Sequence, residues 1–175
     1  VNKQMNSFKV VKTKEASMDA FDLKNKWMLV TAAKSDGSVN TMTANWGGLG
    51  IMWNKEVAYV VIRPQRFTKE FVDEATTFTL TFFAEDYKKK ALTYLGKVSG
   101  RDEDKIAKAG LTICKDEEGV PYFAEAESVF FVKKLLVQPM VAESFLDKEI
   151  ISQWYPEGDF HHLYIAEVCK VMIKE

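Results

Sequence analysis

Histidine and cysteine are scarce in this chain: its 175 residues hold two of each. The histidines are neighbours, His161 and His162. The cysteines, Cys114 and Cys169, stand in dissimilar surroundings with no His or Cys at ligand spacing, so neither a zinc site nor a redox pair of thiols is implied. Both thiols read as small core hydrophobes, and sequence alone leaves a disulfide open.

An excess of charge of one sign is missing too. Twenty-four basic and 25 acidic residues leave a formal net charge of −1, too weak a field to draw a nucleic acid or an anionic membrane. Nowhere do eighteen apolar residues run together, and the stretch from Val1 to Phe8 has no continuous apolar segment. The expectation is a soluble, cytoplasmic protein. No repeat, low-complexity tract or linker divides the chain, and its length and 47% hydrophobic content suit one core, hence one domain over residues 1–175.

What is present is a succession of apolar, β-branched and aromatic runs. Trp27 to Ala33, then Ser35-Asp36-Gly37, then Val39 to Met42 read as a β-hairpin. Val57 to Ile62 reads as a buried strand stopped by Pro64, and Thr76 to Phe83 as another. Tyr122 to Ala124, Ser128 to Val137 and His162 to Ile173 supply the remaining strands. Short helices are expected over Ser17 to Lys26 with Ser17 as N-cap, Thr68 to Glu74, Asp86 to Leu95 with Gly96 at its end, and Asp102 to Ala109. Strands outnumber helices and the connections are short, which favours an antiparallel barrel over a parallel sheet.

Two segments carry the chemistry. Thr41 to Gly50 passes from an apolar strand into hydroxyl and amide residues, Trp46 and three glycines, which permit close backbone approach to a flat polar ligand. A turn or bulge is the alternative use of such glycines. Arg63-Pro64-Gln65-Arg66-Phe67-Thr68 then offers two guanidinium forks and a hydroxyl, groups that suit a phosphate. The glycine spacing fits neither the dinucleotide fingerprint nor the Walker loop. Tyr122, Phe123, Phe130 and Phe131 lack the interleaved basic residues of a nucleic-acid platform and read as core. Asp102, Glu103 and Asp104 read as solvated surface rather than as an acid–base pair.

Thr43 to Lys55, Ile62 to Thr68, Phe78 to Phe83, Ser99-Gly100-Arg101-Asp102 and Gly158-Asp159-Phe160-His161 together resemble, in order and over nearly the whole chain, the flavin reductase and flavoredoxin family of FMN-binding split barrels. The resemblance implies a mainly β fold with short helices, an antiparallel Greek-key split β-barrel that pairs into a homodimer with non-covalent FMN near the subunit interface. It implies that Thr43, Ala44, Asn45 and Trp46 lie along the flavin ring, that Arg63, Arg66 and Thr68 bind the phosphate with Pro64 beside them in the cofactor-binding set, and that Ser99, Gly100 and Arg101 add a second polar cluster. Phe82, Phe83 and His161 fall in motifs near the cofactor; strand alternation lets one of the two phenylalanines face it. Relatives often carry serine at Asn45 and histidine at Val98. The implied activity is electron transfer from NADH or NADPH, or from a redox partner protein, through the flavin, with no side chain required as acid or base. A non-enzymatic FMN carrier and a barrel that binds another ligand, such as haem, remain open as alternatives.

Overall fold

The structure, a computed structural model, describes residues 7–16 and 18–175. The chain runs through β1 (Phe8–Val11), β2 (Met28–Ala33), β3 (Val39–Ala44), β4 (Gly47–Met52), β5 (Lys55–Ile62), α1 (Phe67–Glu74), β6 (Thr77–Phe82), α2 (Thr93–Lys97), α3 (Lys105–Lys108), β7 (Ile113–Lys115), β8 (Pro121–Phe123), β9 (Ser128–Pro139), α4 (Glu149–Trp154) and β10 (His162–Lys174). Eight strands make one antiparallel sheet in the order β3, β2, β6, β9, β10, β5, β4, with β1 added on β10, while β7 and β8 pair separately.

The two ends of that order, β3 and β4, are consecutive in the chain and separated only by Asn45 and Trp46. A twisted sheet whose first and last strands are tethered this closely has to curl round on itself. The two edges meet at Asn45 and Trp46 without sharing a ladder among the described strand pairs, and the barrel is split there.

Several strands are buried on both faces, which is why they read as continuous apolar runs. Met28, Val30 and Ala32 of β2, Phe78, Leu80 and Phe82 of β6, and Phe130 and Val132 of β9 fill the barrel. Leu29, Val129 and Phe131 face the other way, under a second layer formed by Leu92, Leu95, Ile106 and Phe123. Each fully buried Phe or Leu here stabilises the fold by about 1.5–3 kcal/mol. Tyr122 packs at the edge of this layer against Phe131, so the aromatic run over residues 122–131 is core, as its sequence implies.

Three expectations need correction. The N-cap at Ser17 lies outside the described residues, and the following segment forms only a 3-10 turn at Asp22–Lys24 rather than a helix. Asp19 accepts the Phe21 N–H at 2.9 Å, a local side-chain bond that competes with helical pairing. The glycines after β3 are not a loop: Gly47 to Met52 pairs with β5 from Val60 back to Lys55. A side chain at Gly47 would meet the Tyr59 carbonyl oxygen at 2.4 Å, and one at Gly48 would meet the Tyr59 ring at 2.7 Å, so these glycines serve strand packing. The helix expected over Asp86 to Leu95 begins as a wide turn at Lys88–Leu92, where Thr93 donates its hydroxyl to Lys88 O at 2.7 Å, and becomes α-helical only over Thr93–Lys97.

Candidate functional site

The split opens into a cleft of about 370 Å³ lined by Thr43, Ala44, Asn45, Trp46, Arg63 and Arg66, with Val61, Gln65, Trp154 and His161 closing it. Each segment arrives for a local reason. The β2–β3 hairpin, closed at Ser35-Asp36-Gly37, delivers Thr43 to Trp46 at the end of β3. Pro64 sits second in a turn closed by Arg66 N–H to Arg63 O at 3.1 Å, the position its fixed φ favours, and that turn presents both arginines before α1.

Aromatic rings line part of the cleft. Trp46 meets Trp154 edge-on with centroids 5.0 Å apart and tilts against His161 at 5.2 Å. The Tyr155 hydroxyl lies 2.6 Å from His161 Nδ1, and Arg63 stacks over the Tyr155 ring at 5.0 Å. Burial, reinforced by the charges of Arg63 and Arg66, pushes the His161 imidazole down to about 4, so it is neutral at physiological pH. His162, one residue on, turns to the other side, where Lys69 and Asp73 of α1 act on it.

The two arginines differ in their partners. Arg63 pairs with Asp159 at 2.5 Å and donates to Trp154 O at 2.8 Å. Arg66 donates only to backbone carbonyls, Gly96 O at 2.9 Å and Thr43 O at 3.3 Å, and among the described residues no carboxylate pairs with it. Burial and the neighbouring Arg63 both work against its charge. A half-buried guanidinium without a counter-ion, beside a second guanidinium, is stabilised by an anion.

Behind Arg66 the remaining polar residues lock together. Asn40 Nδ2 donates to Thr68 Oγ1 at 2.9 Å, in a buried pair. A side chain on Gly100 would stand 2.2 Å from Asn40 Oδ1, so the Ser99 to Arg101 turn can lie there only with glycine at its centre. Arg101 donates to Gln65 O at 3.2 Å, pairs with Glu70 and covers the Phe67 ring, which ties this turn to the Arg63–Arg66 turn. Ser99 Oγ accepts the Arg101 N–H at 3.2 Å.

Thr43, Ala44, Asn45, Trp46, Arg63, Arg66 and His161 therefore share one cleft, and Thr68, Ser99, Gly100 and Arg101 form its second layer, while Pro64 shapes the turn without lining the cleft. Phe82 and Phe83 do not reach it. They face opposite ways as alternation requires, but Phe82 packs in the barrel on Phe130 and Phe83 packs under α2 on Tyr87 and Phe123, so both are spent on core. Sequence reading missed Asn40, Trp154 and Tyr155: a lone amide in a strand and a short helix without apolar period give no local signal. A larger cavity of about 730 Å³, bordered by Glu74, Asp116 and Lys170, shares no residue with the cleft. Three lysines border it, of which Lys34 pairs with Glu70 and Lys170 with Asp116 and Glu117.

The fold is that of known flavoproteins. The FMN-binding domain of a flavin reductases-like enzyme from Shewanella baltica OS155 superposes with a TM-score of 0.68 over 96% of this chain and 78% of that one, at 20% identity. Flavoredoxin of Desulfovibrio vulgaris (Miyazaki F) gives 0.66 over 86% and 70%, at 24% identity. Nitrilotriacetate monooxygenase component B from Bacillus cereus gives 0.67 over 94% and 78%, at 17% identity. A search of curated proteins returns no match. The profile of the flavin reductase like domain matches residues 21–175, most of the chain. The chain therefore belongs to the flavin reductase like domain family, with the split-barrel fold and the flavin-related redox role that go with it.

Proposed function

We propose that the protein holds FMN non-covalently in the split of its barrel and works as a flavin-dependent oxidoreductase, with NADH, NADPH or a redox partner protein as electron donor. The observation that carries it is the Arg66 guanidinium, half-buried, bonded only to carbonyls and repelled by Arg63, in a cleft that the rings of Trp46, Trp154 and His161 also line. That combination suits a ligand with an anion at one end and a flat ring at the other. When bound, FMN supplies the hydride and electron chemistry.

The chain's own part is binding and orientation. Arg66, with the first amides of α1, receives the phosphate; α1 begins at Phe67 without a side-chain cap, so its N-terminal N–H groups and dipole are free to add to the site. Arg63 is oriented by Asp159 and shares its charge between that carboxylate and the cleft. Backbone N–H groups of Thr43 to Trp46 meet the polar edge of the ring. Trp46, Trp154 and neutral His161 keep water from one side of it.

The active form is proposed to be a homodimer. β4 is a sheet edge, yet Leu49, Ile51 and Met52 on it, Trp53 at its turn and Tyr59 beside it stand in water, Ile51 at 70% exposure. An apolar edge of this kind needs a cover, and it adjoins Trp46 at the mouth of the cleft.

Titration with FMN, followed by quenching of flavin fluorescence, tests the assignment. Micromolar or tighter binding is expected, and Arg66→Ala should weaken it by about tenfold or more, the loss of a charge-assisted hydrogen bond of roughly 1.5–3 kcal/mol. A variant that stays within about twofold of the parent would remove Arg66 from the phosphate role.

A further inference from the structure

A half-buried and a buried cation meet at the end of α2. Arg66 holds Gly96 O at 2.9 Å, and Lys105, 4% exposed, donates Nζ–H to Leu95 O at 3.0 Å and to Val98 O at 2.9 Å. Among the described residues neither cation has a carboxylate partner. Carbonyls at a helix C-terminus carry only a fraction of an elementary charge, so two whole charges are balanced by much less than one. Burying a lysine on carbonyls alone costs free energy that an apolar residue of similar size would avoid.

Val98 leads directly into Ser99-Gly100-Arg101, whose glycine rests on Asn40 and, through it, on Thr68. Lys105 thus fixes the turn that gives Gly96 O to Arg66 on one side and seats Gly100 on the other.

We propose that Lys105 is a positioning residue for the phosphate end of the site: it clamps the last turn of α2 so that Arg66 and the Ser99–Arg101 turn stand in place, and its charge reinforces the positive field they present. The proposal rests on the FMN reading above. The charged groups around it are few. Arg66 opposes it from the start of α1, Glu103 is engaged by Lys108, and Asp104 caps α3 through the Ala107 N–H at 3.1 Å. Burial first, then Arg66, brings the ammonium down to about 8, so it is mostly charged at neutral pH and loses its proton at mildly alkaline pH.

The test compares FMN with riboflavin, which has the ring and lacks the phosphate. Both are titrated into the parent protein, Lys105→Met and Lys105→Arg, near pH 7 and near pH 9, with thermal unfolding of each variant alongside. Expected are a loss of about tenfold or more in FMN affinity for Lys105→Met with riboflavin within about twofold, and recovery of most of that loss by Lys105→Arg. The parent should lose FMN affinity between the two pH values and Lys105→Arg should keep it. Equal losses of FMN and riboflavin, or no loss, would overturn the positioning role. If Lys105→Met fails to fold, the parent's ratio of FMN to riboflavin affinity decides: a ratio unchanged from pH 7 to pH 9 overturns the proposal. A parent that binds neither ligand contradicts the FMN reading itself, a different outcome from a parent that binds FMN indifferently to Lys105.

Discussion

Tyr155 and His161 share one hydrogen bond, 2.6 Å from phenol oxygen to Nδ1, between two buried side chains that back the tryptophan wall of the cleft. Because His161 is held down to about 4 from its ordinary 6.5, the unfolded chain binds its proton first. The contribution of this group to folding stability is therefore fully present above pH 6.5 and is lost as the pH drops toward 4, at most about 3 kcal/mol. Urea unfolding at a series of pH values, for the parent and for a His161→Gln variant, checks it: the variant should lose less stability across that range, and parallel curves would contradict the assignment.

Removing the other partner leaves His161 Nδ1 buried without a bond. Tyr155→Phe should cost about 1–3 kcal/mol at neutral pH, read as a lower unfolding midpoint. An unchanged midpoint would mean that the bond contributes nothing.

Gly100 and Asn40 should couple. Gly100→Ala puts a methyl group 2.2 Å from Asn40 Oδ1 and 3.2 Å from Phe67, and Asn40 cannot step aside without releasing Thr68. A loss of about 1–3 kcal/mol is expected. Asn40→Ala in the same chain should recover part of it, so the double variant loses less than the sum of the singles. Additive losses would show that the contact is not felt.

Much of this architecture was legible beforehand, and the failures have physical causes. The β2–β3 hairpin announced itself because Ser35-Asp36-Gly37 supplies a turn between two apolar runs. β4 did not, since Gly47, Gly48 and Gly50 lower strand propensity while close packing on Tyr59 requires two of them. The arginine turn was visible as residue types at a strand end. Lys105 was not: within Asp102 to Ala109 it looks like one charge among several on a solvated stretch, and only the folded chain shows that the carbonyls of Leu95 and Val98 take it inside. Phe82 and Phe83 misled because a two-residue alternation tells that side chains face opposite ways but not that both faces of the sheet are already core.

The turn joining β4 to β5 carries a second signature of the exposed edge. Trp53 and Asn54 both have positive φ, 51° and 57°, the pattern of a two-residue hairpin turn that favours Asn-Gly. A tryptophan there costs about 1–2 kcal/mol of backbone strain, and such strain persists where a side chain is needed for contact. Ile51→Glu should therefore leave the fold intact and halve the mass measured by light scattering at micromolar concentration. A parent that is monomeric, or a variant that keeps the parent's mass, would contradict the proposed dimer edge.

The most direct measurement is the visible spectrum of the purified protein with FMN added, taken before and after desalting and then again after anaerobic addition of NADH or NADPH. The account predicts flavin absorbance that stays with the protein and bleaches on addition of the nicotinamide. Retained absorbance that bleaches only with a reduced partner protein would assign the donor to that partner. No retained or perturbed flavin signal at micromolar protein would contradict the central claim that the split of the barrel holds FMN.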